Sequence, residues 1–249
     1  MNTNARVPAL DKAVLVIGAG DATGAAVARR FAREGFAACV TRRQADKLQP
    51  LVERIRAEGG TAHACACDAR DEAAVIELFA RIEREIAPIE VLVFNIGANV
   101  RFPITEMTER VYRKVWEMGA LAGFLAGREA ARVMLPRRRG TIVFTGATAS
   151  LRGGAGFAAF AGAKHALRAL AQSMARELGP QGIHVAHAVI DGAIDTAFIA
   201  DNFPARYALK AEDGILDPDA IAEAYWQLHR QHRSAWTHEL DLRPWMESF

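Results

Sequence analysis

The sequence predicts an α/β fold, a single doubly wound parallel sheet with helices on both faces. Three observations carry that reading. Short β-rich runs alternate with helix-length amphipathic stretches along the whole 249-residue chain. Most of the β-rich runs are apolar on both faces, as strands buried between two helix layers must be. Each intervening stretch is long enough for the crossover helix that a parallel connection requires.

The strand candidates are residues 13–17, 37–41, 62–66, 91–94, 141–145 and 185–190, with a last strand near 237–242 at the sheet edge. Amphipathic stretches at 24–33, 45–58 and 72–85 supply the first crossovers. Two longer alanine-rich helices follow at 119–134 and 157–178. Asp217 and Pro218 give an N-cap and a first-turn proline to a helix over 219–230. No linker, low-complexity segment or internal repeat interrupts the pattern, so residues 1–249 read as one domain.

Composition excludes several classes. A hydrophobic share of 51% supports a full core, and a net charge of +2 demands neither nucleic acid nor an acidic substrate. The run Arg137, Arg138, Arg139 between Pro136 and Gly140 reads as a solvated turn. Cys39, Cys65 and Cys67 are too few and too apolar in setting for a disulfide framework or a metal site, which points to the reducing cytoplasm. Residues 1–12 are polar with no signal-peptide core. No apolar stretch approaches the roughly 20 residues a membrane helix needs.

The first strand runs into Gly18, Ala19, Gly20, Asp21, Ala22, Thr23 and Gly24, and a helix follows at once. Glycines there let the backbone turn sharply and approach a pyrophosphate, which then sits on the positive end of the helix. The strand–loop–helix setting is what gives such a loop weight. The spacing is close to G-x-x-x-G-x-G, with Ala22 at the middle glycine.

Taken with later motifs, the chain resembles the short-chain dehydrogenase/reductase family over nearly its whole length. Asn95, Ile96 and Gly97 after the fourth strand are similar to the family's Asn-Ala-Gly turn, and Asp68 follows the third strand where the family places an aspartate on the adenine. Gly192, Ile194 and Thr196 resemble the segment that holds the carboxamide. Phe160 and Lys164 stand where the family has Tyr-x-x-x-Lys. The resemblance implies a Rossmann sheet in the order 3-2-1-4-5-6-7, a nicotinamide dinucleotide bound by these residues, a mobile lid over about 196–216, and a homodimer or homotetramer.

The catalytic positions depart from the family's pattern. Phe160 carries no proton, the family serine falls on Ala147, its helix asparagine falls near Gly119, and Asp191 replaces a proline. Lys164 keeps its place one helical turn after position 160. Thr148, Ser150 and Asp191 are the candidate stand-ins for a proton donor, with Thr148 and Asp191 carried forward beside Lys164. Tyr207 could bring a phenol on lid closure, whereas His165, His184 and His187 read as structural. Phe102, Phe157 and Phe160 would line an apolar pocket.

The second strand ends in Arg42 and Arg43 with no carboxylate, which suits the 2′-phosphate of NADP rather than the ribose hydroxyl of NAD. Asp21 cuts the other way, since NADP-using relatives often carry a basic residue there. The expectation is an NADPH-dependent reductase of a small apolar carbonyl, imine or activated alkene. The alternative is a non-catalytic NADP(H) sensor or a partner subunit of an active relative.

Overall fold

A computed structural model describes residues 11–247. The polar stretch over 1–12 therefore lies outside the described residues, apart from Asp11 and Lys12. Seven strands, β1 (Ala13–Ile17), β2 (Ala37–Arg42), β3 (Thr61–Ala66), β4 (Ile89–Phe94), β5 (Gly140–Thr145), β6 (Ile183–Ile190) and β7 (Glu239–Leu242), form one sheet in the order β3-β2-β1-β4-β5-β6-β7. Every neighbouring pair is parallel. Each crossover must then travel back over a sheet face, and helices do this.

Side-chain alternation along β1 divides the core in two. Leu15 and Ile17 face α3 (Glu72–Glu85), α5 (Ala122–Met134) and α6 (Ala158–Leu178), while Val14 and Val16 face α1 (Thr23–Arg33), α2 (Gln49–Ala57) and α9 (Pro218–Arg230). Phe31 of α1 sits edge-on to Phe36 and Trp226 with ring centroids 5.3 Å from each. Arg29 holds Asp219 of α9 through two hydrogen bonds of 2.7 and 2.8 Å. Emptying the fully buried Phe31 site with alanine would cost about 3–5 kcal/mol.

Several elements differ from the sequence reading. The stretch 45–58 opens as a 3-10 turn, Ala45–Leu48, and becomes α-helical only at Gln49, with Pro50 in the first turn. The helix read at 119–134 starts ten residues earlier as α4 (Glu109–Trp116), capped by the Thr108 hydroxyl, and passes through a π turn at Glu117–Leu121 before α5. Gly119 lies in that turn, where a Cβ would stand 2.9 Å from the Ala163 Cβ of α6. Glycine lets the two helices approach closely.

The arginine run makes a turn through Arg138 at φ +51°, yet it is not merely solvated. Arg137 bonds both Glu83 oxygens and the Ile89 carbonyl, and Arg139 bonds Glu90. Residues 197–212 fold as the short helices α7 (Ala197–Asn202) and α8 (Pro204–Tyr207) and a 3-10 turn. Among the described residues no helix is long and apolar enough to cross a membrane.

Candidate active site

Strand order reverses between β1 and β4, and the loops leaving the carboxyl ends of β1 to β6 surround one cleft of about 1450 Å³. All the residues expected to hold a dinucleotide line it: Gly18, Gly20, Asp21, Thr23, Gly24, Arg42, Arg43, Asp68, Asn95, Ile96, Gly97, Lys164, Gly192, Ile194 and Thr196. Thr148 and Asp191 line it too.

The loop after β1 is built on close backbone approach. Gly18 has φ +86°, and a Cβ there would lie 2.9 Å from the Asn95 carbonyl carbon and oxygen. A Cβ on Gly24 would meet the Gly18 oxygen at 2.7 Å. The Asn95 amide donates to that same oxygen at 3.1 Å, tying the loops after β1 and β4 together. No side chain caps α1 at Ala22 and its first turn holds no acid, so the backbone amides at its positive end are open to a ligand in the cleft. Around Gly20 a Cβ would meet only Arg42 Nη2, at 3.8 Å. These features fit a pyrophosphate resting on the loop.

At the ends of β2 and β3 the charges are arranged in pairs. Arg42 lies 3.3 Å from the exposed Asp21 carboxylate. Asp68 is gripped by Arg70 through bonds of 2.9 and 2.6 Å, and that pairing, with Arg43 adding its field, holds the Asp68 carboxyl below the ordinary aspartate range. Arg43 makes no ion pair among the described residues.

Lys164 is 2% exposed. Its ammonium donates to the Ile96 and Thr145 carbonyls at 3.1 and 2.8 Å, which aims it into the cleft from α6. Burial lowers its pKa to about 8. One turn earlier Phe160 packs with Ala147, Ala149, Phe157 and Ala161, its ring centre 5.8 Å from Lys164 Nζ. The chain's three tyrosines are elsewhere. Tyr225 is buried on α9 against the Thr145 hydroxyl, Tyr112 lies on α4, and Tyr207 takes a hydrogen bond from Lys210 outside the cleft lining.

The polar pair at this end of the cleft is Thr148 and Asp191. The Thr148 hydroxyl donates to Asp191 Oδ1 in a short hydrogen bond, and Arg243 Nη2 stands 3.4 Å from Oδ2. Asp191 is 2% exposed. Arg243 comes from the segment after β7, where Gly192 packs so closely on Pro244 that a Cβ would sit 2.7 Å from its Cδ. Thr196 caps α7 by accepting from the Ile199 amide, and Asp195 pairs with Lys210 at 2.6 Å.

Two expectations fail. Ser150 is fully buried and its oxygen accepts from the Ala147 amide at 3.1 Å, so it stabilises a local turn outside the cleft lining. Phe102 likewise falls outside the lining; its amide donates to Gly156, and Arg101 takes the place facing the cleft. The three histidines lie outside the cleft lining. His165 bonds the Ala161 carbonyl, His184 bonds that of Thr237, and His187 on β6 bonds the Glu239 carboxylate of β7. The sequence reading missed Arg70, Met118, Arg101, Arg152 and Arg243. The first four line the cleft, and Arg243 abuts Asp191. Only Arg70 had a nearby signal, an opposite charge two residues from Asp68.

Fold and cleft together define an α/β oxidoreductase of the Rossmann type. The short chain dehydrogenase family profile matches residues 12–206, and the chain belongs to that family. It is 52% identical to a short-chain dehydrogenase from Rhodopseudomonas palustris whose crystal structure superposes with a TM-score of 0.80, covering 94% of this chain and 99% of that one. It is 32% identical over 171 residues to gluconate 5-dehydrogenase of Gluconobacter oxydans (strain 621H), which is 69% of this chain and 67% of that protein. A variant of actinorhodin polyketide ketoreductase solved with NADPH shares the fold at TM-score 0.86 and 22% identity, over 94% of this chain and 96% of that one.

Proposed function

We propose that residues 1–249 form one domain that binds NADP(H) and interconverts an alcohol and a carbonyl, or reduces an imine or activated alkene, with Thr148 and Asp191 carrying the proton. The observation that carries the reading is the Thr148–Asp191 hydrogen bond in a cleft whose described lining contains no tyrosine. In place of the family's tyrosine and serine this chain has Phe160 and Ala147.

NADPH, when bound, would supply the hydride for reduction, and NADP+ would accept it when an alcohol is oxidised. The glycine loop and uncapped α1 terminus would hold its pyrophosphate, Lys164 its ribose, and Arg42 with Arg43 the 2′-phosphate. Asp21 neutralises part of the Arg42 charge, so Arg43 would give most of the preference for NADP over NAD. In alcohol oxidation the substrate hydroxyl proton passes to Thr148 Oγ1 while the Thr148 proton moves to Asp191. Reduction runs the same transfer backwards, the proton passing from Asp191 through Thr148 to the substrate.

Residues 196–216 would act as a lid, and the exposed Tyr112, Trp116 and Phe124 on one stripe of α4–α5 support pairing of two copies. A monomer by light scattering at micromolar concentration would contradict that pairing. The buried free cysteines suit a reducing compartment such as the cytoplasm. The test of function is NADPH oxidation with a panel of carbonyls, imines and enones. Turnover that Asp191→Asn slows supports the reading; tight binding with no turnover on any of them would point to a sensor.

A further inference from the structure

Five carboxylates line the cleft, and each is already engaged by a side chain. Asp21 and Asp68 have Arg42 and Arg70, Asp195 has Lys210, Glu247 has Arg206 at 3.3 Å, and Asp191 has Thr148 and Arg243. Three lining guanidiniums have no carboxylate partner among the described residues. Arg43 stands at the end of β2, but Arg101 and Arg152 stand at the opposite end, beyond β4 and β5.

These two arginines belong to one wall. The Phe102 amide donates to the Gly156 carbonyl at 2.9 Å, joining the loop after β4 to the loop after β5. Arg101 lies over Gly156, where a Cβ would meet its Cγ at 2.9 Å, and its guanidinium is 5.9 Å from the Phe157 ring centre. The Arg152 amide bonds the Thr148 carbonyl, so Arg152 leaves the same turn that presents the Thr148 hydroxyl. A guanidinium that loses water when a ligand enters must gain an anion in return. Arg101 and Arg152 are exposed to solvent where they line the cleft, which Phe157 and Phe160 also line, so a ligand entering there would displace their water.

We infer that the substrate is a small organic anion, a flat apolar body bearing a carboxylate or phosphate group, with the anion held between Arg101 and Arg152. The inference rests on the proposed function for the role of the cleft. The group to be oxidised or reduced then sits at Thr148, one turn away from the charged end. A carboxylate and a phosphate monoester share this chemistry, and the probes separate them.

Calorimetry of the full chain, free and saturated with NADP+, with phenylacetate, phenyl phosphate and neutral phenylacetamide tests it. At least one anion should bind at least about tenfold more tightly than the amide, the scale of a charge-assisted pair of hydrogen bonds. Whichever anion is preferred identifies the group. Arg101→Gln/Arg152→Gln should abolish the preference while leaving NADP+ affinity within about twofold, since both side chains lie away from the phosphate loop. Equal binding of anions and amide in both states, or a preference that survives the double substitution, overturns the inference. NADP+ binding, read separately, reports on the proposed function and not on this site.

Discussion

Thr148 and Asp191 are 43 residues apart in sequence, yet the hydroxyl of one is hydrogen-bonded to the carboxylate of the other in the wall of the cleft. The pair joins the loop after β5 to the loop after β6, and Arg243 closes it from behind at 3.4 Å. If the pair carries the proton as proposed, it contributes roughly 10²–10⁴-fold to the rate.

Asp191→Asn and Thr148→Val should each slow the chemical step by roughly tenfold to a thousandfold while NADPH affinity stays within about twofold. Single-turnover kinetics on the two variants check this. An Asp191→Asn enzyme with unaltered turnover would remove the aspartate from the proton path.

Restoring the family's pattern should not improve the native reaction. Phe160 is packed with Ala149, Ala161 and Phe157, so a phenolic oxygen there takes space from the ligand and needs a partner. Ala147→Ser with Phe160→Tyr is expected to lower the native turnover. Improved turnover would mean that the cleft is an ordinary reductase site that has merely lost two groups.

Lys164 gives a pH signature. Its folded-state pKa, lowered to about 8 by burial, means it is charged at neutral pH and loses that charge above pH 8. If the charged form grips the cofactor, NADPH affinity is constant below about pH 8 and weakens up to tenfold per pH unit above it. A flat profile from pH 7 to 9.5 would exclude Lys164 as a charged contact.

Acid should weaken the fold through two histidines. Burial pushes His187 and His229 down to about 4 from the ordinary 6.5, so between pH 6.5 and 4 the unfolded chain binds protons that the folded chain does not. Stability is therefore fully present above pH 6.5 and falls as pH drops through that window. Thermal melts at pH 7 and pH 5 should show a lower Tm at pH 5. His229→Phe, placed among Phe31, Phe36 and Trp226, should shrink the difference. An equal drop in wild type and variant would exclude His229 from the effect.

Much of the fold was legible because its signals are local. The apolar run 13–17, the glycines at 18, 20 and 24, and Asp217 with Pro218 each act on their own segment. The π turn at Gly119 was not legible, because it depends on how closely α6 approaches. Arg243 on Asp191 and Arg137 on Glu83 join segments brought together only by the sheet. Phe102 and Arg101 are adjacent in a loop of irregular structure, where no period says which of the two faces the cleft.

Titration calorimetry with NADPH and NADH measures nucleotide binding in this cleft directly. NADPH should bind at micromolar affinity or tighter, with NADH weaker by about tenfold or more, as expected when a guanidinium loses its phosphate. Arg43→Ala should narrow that gap more than Arg42→Ala, whose charge Asp21 already shares. Equal affinities would exclude the preference for NADP, and no detectable binding of either nucleotide would exclude the cleft as a dinucleotide site.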